Sequence, residues 1–582
     1  MRPSNLCRSR AMARFLTFRR MTVFGVVFFV IYVSCVLCMH TFMKQSTTRS
    51  DNPSTLSNKL EERDPNNLQN IQTEDENNDV YLPYGETRYP RLVEGKFIAP
   101  NRIFHLDLKG AAPKTSYLEK LIPLIRQMGG TGILIEYEDM FPYAGELSGL
   151  RAANAYSQTD LRHILQLAVD NHLTVIPLVQ TFGHLEWILK YEEYAKYREE
   201  MRYPQVICLA DEGAVHIVEE AIRQVMQLHE DFSLTAFHIG ADEAFQVGQC
   251  KKDLAMMQTK RVGPNALMLL HIIRIAKFVK SLAKNHVRVL MWHDMLEKVD
   301  FDSISRYGLR NLVEPVVWKY EEELEGVLYP EFWQKMAANF PYVWGASAFK
   351  GADGPDQYAS NIPHYVANHI SWMKQMNDNY EYFKQFRGLI VTGWQRFDHF
   401  AILCETLPVG LPSAAVNLAI LKDGRGVEDA ARRAGMVLNC SSSIVLSFPT
   451  GLAAYCNFPG FEIYKNVQQF QELVTSIERD VFNNYQIRGW MSEFNDKYRY
   501  SQLWYVDNCS FRVRLALADI KRYADLIKNS MEEVFYEDTV QEFLYEYVRP
   551  VQQRLIELNR RLDRLSSHRV YPRRPFPVNS SV

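Results

Sequence analysis

Asp242 and Glu243 stand side by side at the end of a short apolar run (Leu234, Ala236, Phe237, Ile239), in the string His238-Ile239-Gly240-Ala241-Asp242-Glu243. An acid pair at a strand end suits chemistry if the fold is a β/α barrel, where catalytic residues sit at the C-terminal ends of the strands. The plainer alternative is structural: Asp242 caps a following helix and Glu243 is a first-turn acid favoured by the helix dipole. The ends of the other apolar runs decide between the two.

Those runs are Ile103 to Leu108, Gly132 to Glu136, Val175 to Val179, Leu234 to Ile239, Val287 to Met291, Leu312 to Val317, Tyr342 to Gly345 and Gly388 to Val391, with helical spacing between them, as in Leu118, Leu121, Ile122 and Ile125. Eight strands alternating with helices predict an α/β fold, a (β/α)8 TIM-type barrel; such barrels span about 250 residues or more with insertions. A doubly wound sheet is the alternative, but no Gly-x-Gly-x-x-Gly follows the first strand. The runs end in His105-Leu106-Asp107, Glu136, His184, His238 to Glu243, Trp292-His293-Asp294, Trp318-Lys319-Tyr320, Trp344 and Trp394 to Asp398. Acids, histidines and tryptophans gathered at one end of a barrel favour the catalytic reading. Carboxylates beside rings that can stack on sugars point to a glycosidase. One scheme open to such a site uses Glu136 as nucleophile and Glu243 as acid.

The string His238-Ile-Gly-Ala-Asp-Glu243 resembles the His-x-Gly-x-Asp-Glu signature of glycoside hydrolase family 20, the β-N-acetylhexosaminidases. Longer strings, among them Ile135-Glu-Tyr-Glu-Asp-Met-Phe-Pro-Tyr and Thr392-Gly-Trp-Gln-Arg-Phe-Asp-His, are similar to its hexosaminidase D branch, over about Arg102 to Ala415. The resemblance implies a retaining exo-enzyme that needs no cofactor or metal and takes terminal β-linked GlcNAc or GalNAc, the substrate's own 2-acetamido oxygen being the nucleophile. It implies that Glu243 is the general acid, its pKa kept high by burial and by its charged neighbour, and that Asp242 holds the acetamido N–H. Trp318, Trp344 and Trp394 become candidate walls for the sugar, with Tyr320 toward the acetamido oxygen; His184, His238, Glu136 and Trp292 complete the binding set. Many members grip sugar hydroxyls with an arginine after the first strand, where this chain has His105, Asp107 and Lys109. Whether Asp107, Asp294 or Asp398 reads O4 stays open, and with it GlcNAc against GalNAc. A catalytically silent carbohydrate-binding barrel is the alternative function.

The 582-residue chain carries 66 basic and 68 acidic residues, a balance that argues against nucleic-acid binding. Met21 to Met39 is an uncharged, mostly apolar run of 19 residues preceded by six arginines. As a helix it would span about 30 Å, and the positive-inside bias keeps the N-terminus cytoplasmic. The expected order is a tail (1–20), a transmembrane anchor (21–40), a polar, disordered luminal stem (41–95), the barrel (96–425) and a mostly helical C-terminal region (426–582). This describes a single-pass type II membrane protein, with the Golgi as expected location. Six cysteines beyond the stem can form disulfides there, in pairs the sequence does not specify. Asn439, Asn508 and Asn579 fit the glycosylation pattern. Leu544, Val548, Val551, Leu555, Leu558, Leu562 and Leu565 recur at helical spacing, an apolar stripe that must be covered by the chain itself or by a second copy in a homodimer.

Overall fold

The computed structural model describes residues 92–93, 95–284, 286–424, 426–446 and 455–576. The expected anchor, nearly all of the stem and the Asn579 acceptor lie outside the described residues.

Eight parallel strands close into a barrel: β1 (Asn101–Asp107), β2 (Gly132–Glu136), β3 (Thr174–Leu178), β4 (Ala236–His238), β5 (Arg288–Trp292), β6 (Glu314–Trp318), β7 (Tyr342–Lys350) and β8 (Gln385–Gly393). They pair in chain order, and β8 returns to β1 through Gly388↔Asn101 to Val391↔Phe104. Each of the eight expected runs is a strand. They read as continuous apolar runs because both faces are covered, as parallel sheets require. One face fills the lumen with Ile103, Leu134, Ile176, Leu290, Val316 and Ile390, and the other packs beneath helices.

The main helix after each strand is, in turn, α1 (Thr115–Met128), α2 (Gln158–Asp170), α3 (Glu212–His229), α4 (Pro264–Leu282), α5 (Phe301–Arg306), α6 (Pro330–Asn339), α7 (Ile362–Asn379) and α8 (Leu407–Asp423), with shorter helices at Glu186–Leu189 and Lys251–Lys260. In α1 the buried Leu118, Leu121, Ile122 and Ile125 form the stripe that 3.6-residue periodicity dictates. By contrast, α8 is buried all round from Leu407 to Leu421, because it lies between the barrel and further helices.

Those helices are α9 (Val427–Val437), α10 (Phe461–Ile477), α11 (Leu503–Glu532), α12 (Glu537–Phe543) and α13 (Arg549–Ser566). The expected stripe lies mainly on α13, where Val551, Leu555, Leu558, Leu562 and Leu565 are buried and α11 packs alongside. Each such leucine contributes about 2 kcal/mol when buried. The chain therefore covers the stripe itself, which removes the reason for reading it as a dimer face. The helical region also grips the loops after β1 and β8: Lys114 Nζ donates to the Glu532 carbonyl at 2.7 Å, and the Tyr547 hydroxyl donates to the Leu403 carbonyl.

Cysteines pair as Cys208–Cys250 and Cys440–Cys456, while Cys404 and Cys509 are buried free thiols. Asn439 is exposed in a loop, as an acceptor must be. Asn508 lies within α11 and donates to the Trp504 carbonyl at 2.8 Å, and the Ser510 hydroxyl of its motif is buried and bonded to the Val506 carbonyl. Helical backbone thus makes Asn508 a poor acceptor in the folded protein.

Candidate active site

Strand β4 is only three residues long, and the chain then runs without regular structure from Ile239 to the helix Lys251–Lys260. Asp242 therefore caps no helix, which disposes of the structural reading of the acid pair. The turn is unusual in its backbone: Gly240, Ala241 and Glu243 have φ of 62°, 70° and 42°. Left-handed non-glycine residues cost about 1–3 kcal/mol each, a strain that persists only where neighbours overdetermine the loop. Here the neighbours are identifiable. The Gly240 amide donates to His238 Nδ1 at 3.0 Å, the Glu243 amide to Asp294 Oδ2 at 3.0 Å, and Gln205 Nε2 to the Glu243 carbonyl at 3.0 Å. Gly183 allows a second close approach, since a Cβ there would collide with the Asp242 carbonyl oxygen.

His184, next to Gly183, faces both carboxylates. Its Nε2 lies 3.3 Å from Glu243 Oε2 and 3.6 Å from Asp242 Oδ2. Burial opposes a charge on this imidazole, but the Asp242 charge and the Glu243 hydrogen bond outweigh it and raise its pKa to about 10. The two carboxyls respond differently. Burial, aided by the charges of Asp294, Glu136 and Glu243, lifts Asp242 to about 7 against the pull of His184. The Glu243 side chain is 40% exposed, and its hydrogen bond with His184 holds it below the usual carboxylate range. This reverses the expectation that Glu243 is the carboxyl kept protonated: the fold buries Asp242 and leaves Glu243 beside a cation.

A cavity of about 160 Å³ opens against these groups, lined by Lys109, Gln180, His184, Asp242, Glu243, Trp318, Tyr320, Gly351, Ala352, Trp394, Arg396 and Phe397. Drug-sized ligands occupy sites of about 300–1,000 Å³, so this one suits a single sugar ring. Trp318 and Tyr320 stack with centroids 5.4 Å apart, and Trp394 Nε1 donates to the Tyr320 hydroxyl at 2.9 Å. Trp318 Nε1 donates to Asp294 Oδ1 at 3.2 Å. The three rings form one linked wall whose position is tied, through Asp294, to the acid pair.

Other expected residues fall elsewhere. Trp344 is the third residue of the nine-residue β7, fully buried, with its indole N–H donated at 2.8 Å to Glu314 at the start of β6. It sits at the N-terminal end of the barrel because β7 continues to Lys350, well past the apolar run. Trp292 and His238 are buried against each other, ring centroids 4.4 Å apart, and support the site without lining it. Burial lowers the pKa of His238 to about 3, so the imidazole is neutral. Asp294 has both oxygens engaged as described, and Asp398 Oδ1 accepts the Phe400 and Ala401 amides at 2.8 and 2.9 Å, closing its own turn.

The match to the catalytic domain of glycosyl hydrolase family 20 covers residues 123–329. Hexosaminidase D of Homo sapiens is 36% identical over 478 residues, spanning 81% of this chain and 96% of that protein. The chain belongs to glycosyl hydrolase family 20. Hexosaminidase D of Bos taurus is 42% identical over 350 residues, 60% of this chain and 99% of that protein. A solved β-N-acetylhexosaminidase from Bacteroides fragilis is 14% identical, with a TM-score of 0.41 over 55% of this chain and 66% of that one.

This family 20 enzyme is a β-N-acetylhexosaminidase, acting on terminal N-acetylhexosamine of glycans. Beneath its pocket lies a polar layer of Asp107, Lys109, Glu136 and Glu138. Lys109 Nζ is 3.7, 3.8 and 3.9 Å from Asp107, Glu136 and Glu138, and His105 Nε2 is 3.5 Å from Glu136. Burial opposes both charges, yet Lys109 is held protonated by the three carboxylates, and Lys109 with His105 holds Glu136 down to about 2. Asp107 accepts the Lys109 and Gln395 amides at 2.9 and 2.7 Å, so its oxygens fix backbone. Of this layer, only Lys109 lines the family 20 pocket. Lys109, Gln180 and Arg396 received no role from the sequence although they lie just after strands β1, β3 and β8, since which side chain of a strand-end turn faces inward depends on the turn.

Proposed function

We propose that the enzyme removes terminal β-linked GlcNAc and/or GalNAc with retention, by substrate-assisted catalysis. The observation that carries this reading is Asp242 and Glu243 both facing His184 Nε2 at a pocket sized for one sugar. Asp242, buried, accepts the acetamido N–H and, once ionised, stabilises the positive charge of an oxazolinium-like intermediate. Glu243, on the open side, reaches the leaving-group oxygen. Sugar in the pocket displaces water from the His184–Glu243 ion pair, and a drier environment favours its neutral form. The proton then passes from His184 Nε2 to Glu243 Oε2 across the 3.3 Å contact, arming the general acid. Glu136 makes a poor nucleophile: it is 1% exposed, lies outside the pocket lining and is paired with Lys109 and His105.

The test is hydrolysis of nitrophenyl β-N-acetylglucosaminide and β-N-acetylgalactosaminide beside the glucoside and galactoside. Cleavage of only the acetamido sugars, with inhibition by an N-acetylglucosamine thiazoline, is the expected result. Equal cleavage of plain glycosides sinks acetamido participation.

The natural substrates on this reading are glycoprotein glycans, N-glycans foremost, met in a Golgi lumen by a type II membrane enzyme. Support comes from the arginine-flanked apolar run Met21 to Met39, the exposed Asn439 acceptor and the two disulfides. Protease protection in sealed vesicles checks it: a C-terminus digested without detergent, while lumenal controls survive, means the orientation is wrong.

A further inference from the structure

We propose that Glu542, which lies outside the barrel, is a positioning residue of the active site, and that α12 is a working part of the catalytic unit. The evidence is the bonding of Arg396, which lines the pocket from the loop after β8 and is 8% exposed. A guanidinium has five N–H donors and no acceptor. In Arg396 all five are engaged. Nε donates to the Lys109 carbonyl at 3.2 Å, Nη1 to the Ala401 carbonyl at 2.7 Å and Glu542 Oε1 at 2.6 Å, and Nη2 to the Gly110 carbonyl at 2.9 Å and Glu542 Oε2 at 2.5 Å.

Three consequences follow from that geometry. First, Arg396 has no donor left for a sugar hydroxyl, so its place in the pocket wall is architectural. Second, it joins the turn after β1, which carries Lys109 into the pocket, to the loop after β8, which carries Trp394 and Phe397. Gly110, with φ of 62°, lets the guanidinium lie against the turn, where a Cβ would stand 2.6 Å from Arg396 Nε. Third, the three carbonyls bring no net charge, so the carboxylate that neutralises Arg396 comes from α12. A paired fork of this kind fixes orientation as well as charge. The helix is itself anchored: Val540 and Phe543 are fully buried, Phe535 bridges to Pro113, and Asn154 Nδ2 donates to Asp538 at 3.2 Å. Without Glu542 a nearly buried cation is unpaired, and the Lys109 and Trp394 walls lose their common tie.

Glu542→Gln in the full chain tests this, assayed on a nitrophenyl β-N-acetylhexosaminide alongside Arg564→Gln. The second variant breaks the Arg564–Asp496 pair (2.5 Å) within the same helical region. The expected result is a KM raised about tenfold or more in Glu542→Gln with kcat within about threefold, because a pocket wall moves while the acid pair is held from other loops; small misplacements can cost up to about a hundredfold. Arg564→Gln should lower Tm and leave KM within twofold. A Glu542→Gln enzyme with KM within twofold of the parent, whatever its Tm, overturns the proposal, as does a fall confined to kcat. If Glu542→Gln does not fold, Arg396→Lys, which keeps the charge and loses the fork, reads the same tie: an unchanged KM overturns it and a raised KM upholds it. Parent protein inactive on these substrates would count against the hexosaminidase reading instead.

Discussion

Asp294 ties Glu243 to Trp318: one carboxylate oxygen accepts the Glu243 amide at 3.0 Å and the other accepts the Trp318 indole N–H at 3.2 Å. One side chain thus sets the distance between the catalytic turn and the sugar wall. Asp294→Ala should lower kcat/KM by about a hundredfold, since the strained turn and the wall come loose together. Asp294→Asn, which keeps one acceptor oxygen, should lose less. Steady-state kinetics on both variants checks the order; equal losses would mean that only one of the two bonds matters.

The two carboxylates separate by leaving group. Glu243→Gln should lose about a hundredfold or more on alkyl or glycan substrates and less on nitrophenyl glycosides, whose leaving group needs little protonation. Asp242→Asn should slow both comparably, since it acts on charge that develops whatever departs. Thiazoline should also bind much less well to Asp242→Asn, because it mimics the intermediate that acetamido participation creates. Matching leaving-group profiles in the two variants would reassign their roles.

Asp242 also makes stability depend on pH. Its folded pKa, about 7, lies above the ordinary aspartate value of 3.8, so the native state favours the protonated form. The stability this adds is fully present below the unfolded pKa and is lost as pH rises through the folded one. Asparagine is neutral throughout. Asp242→Asn should therefore gain on the parent protein between pH 5 and pH 8 by about 2 kcal/mol, read as a widening Tm difference while activity falls. A constant difference would mean that the buried carboxyl ionises without cost.

Trp344 and Trp394 separate core from pocket. Trp344→Ala removes a fully buried ring at the far end of the barrel and should cost about 3–5 kcal/mol, with KM of the folded fraction unchanged. Trp394→Ala should raise KM about tenfold through lost stacking and the lost Tyr320 bond, on the scale of 1–2 kcal/mol. Urea unfolding with kinetics on the same preparations distinguishes them, and a raised KM in Trp344→Ala would restore it to the site.

The amino-acid sequence by itself determined the barrel and the place of its chemistry. Runs such as Gly132 to Glu136, buried on both faces and alternating with amphipathic helices, admit few architectures, and polar groups at their ends have only the catalytic face to occupy. These are local signals, carried by periodicity. Tertiary structure decided which of those residues meet. Trp344 and Trp394 look alike in sequence, yet β7 runs six residues beyond the first and β8 ends just before the second, so only Trp394 reaches the pocket. The protonation of Asp242 and Glu243 was likewise beyond the sequence. Adjacent carboxyls differ there mainly through burial and through His184, which lies 58 residues before Asp242. The Arg396–Glu542 fork, spanning 146 residues, and the disulfide partners exist only where folding brings distant segments together. Pattern along the chain selects the scaffold because burial is periodic; charge state and contact depend on neighbours that only the closed barrel and its helical region supply.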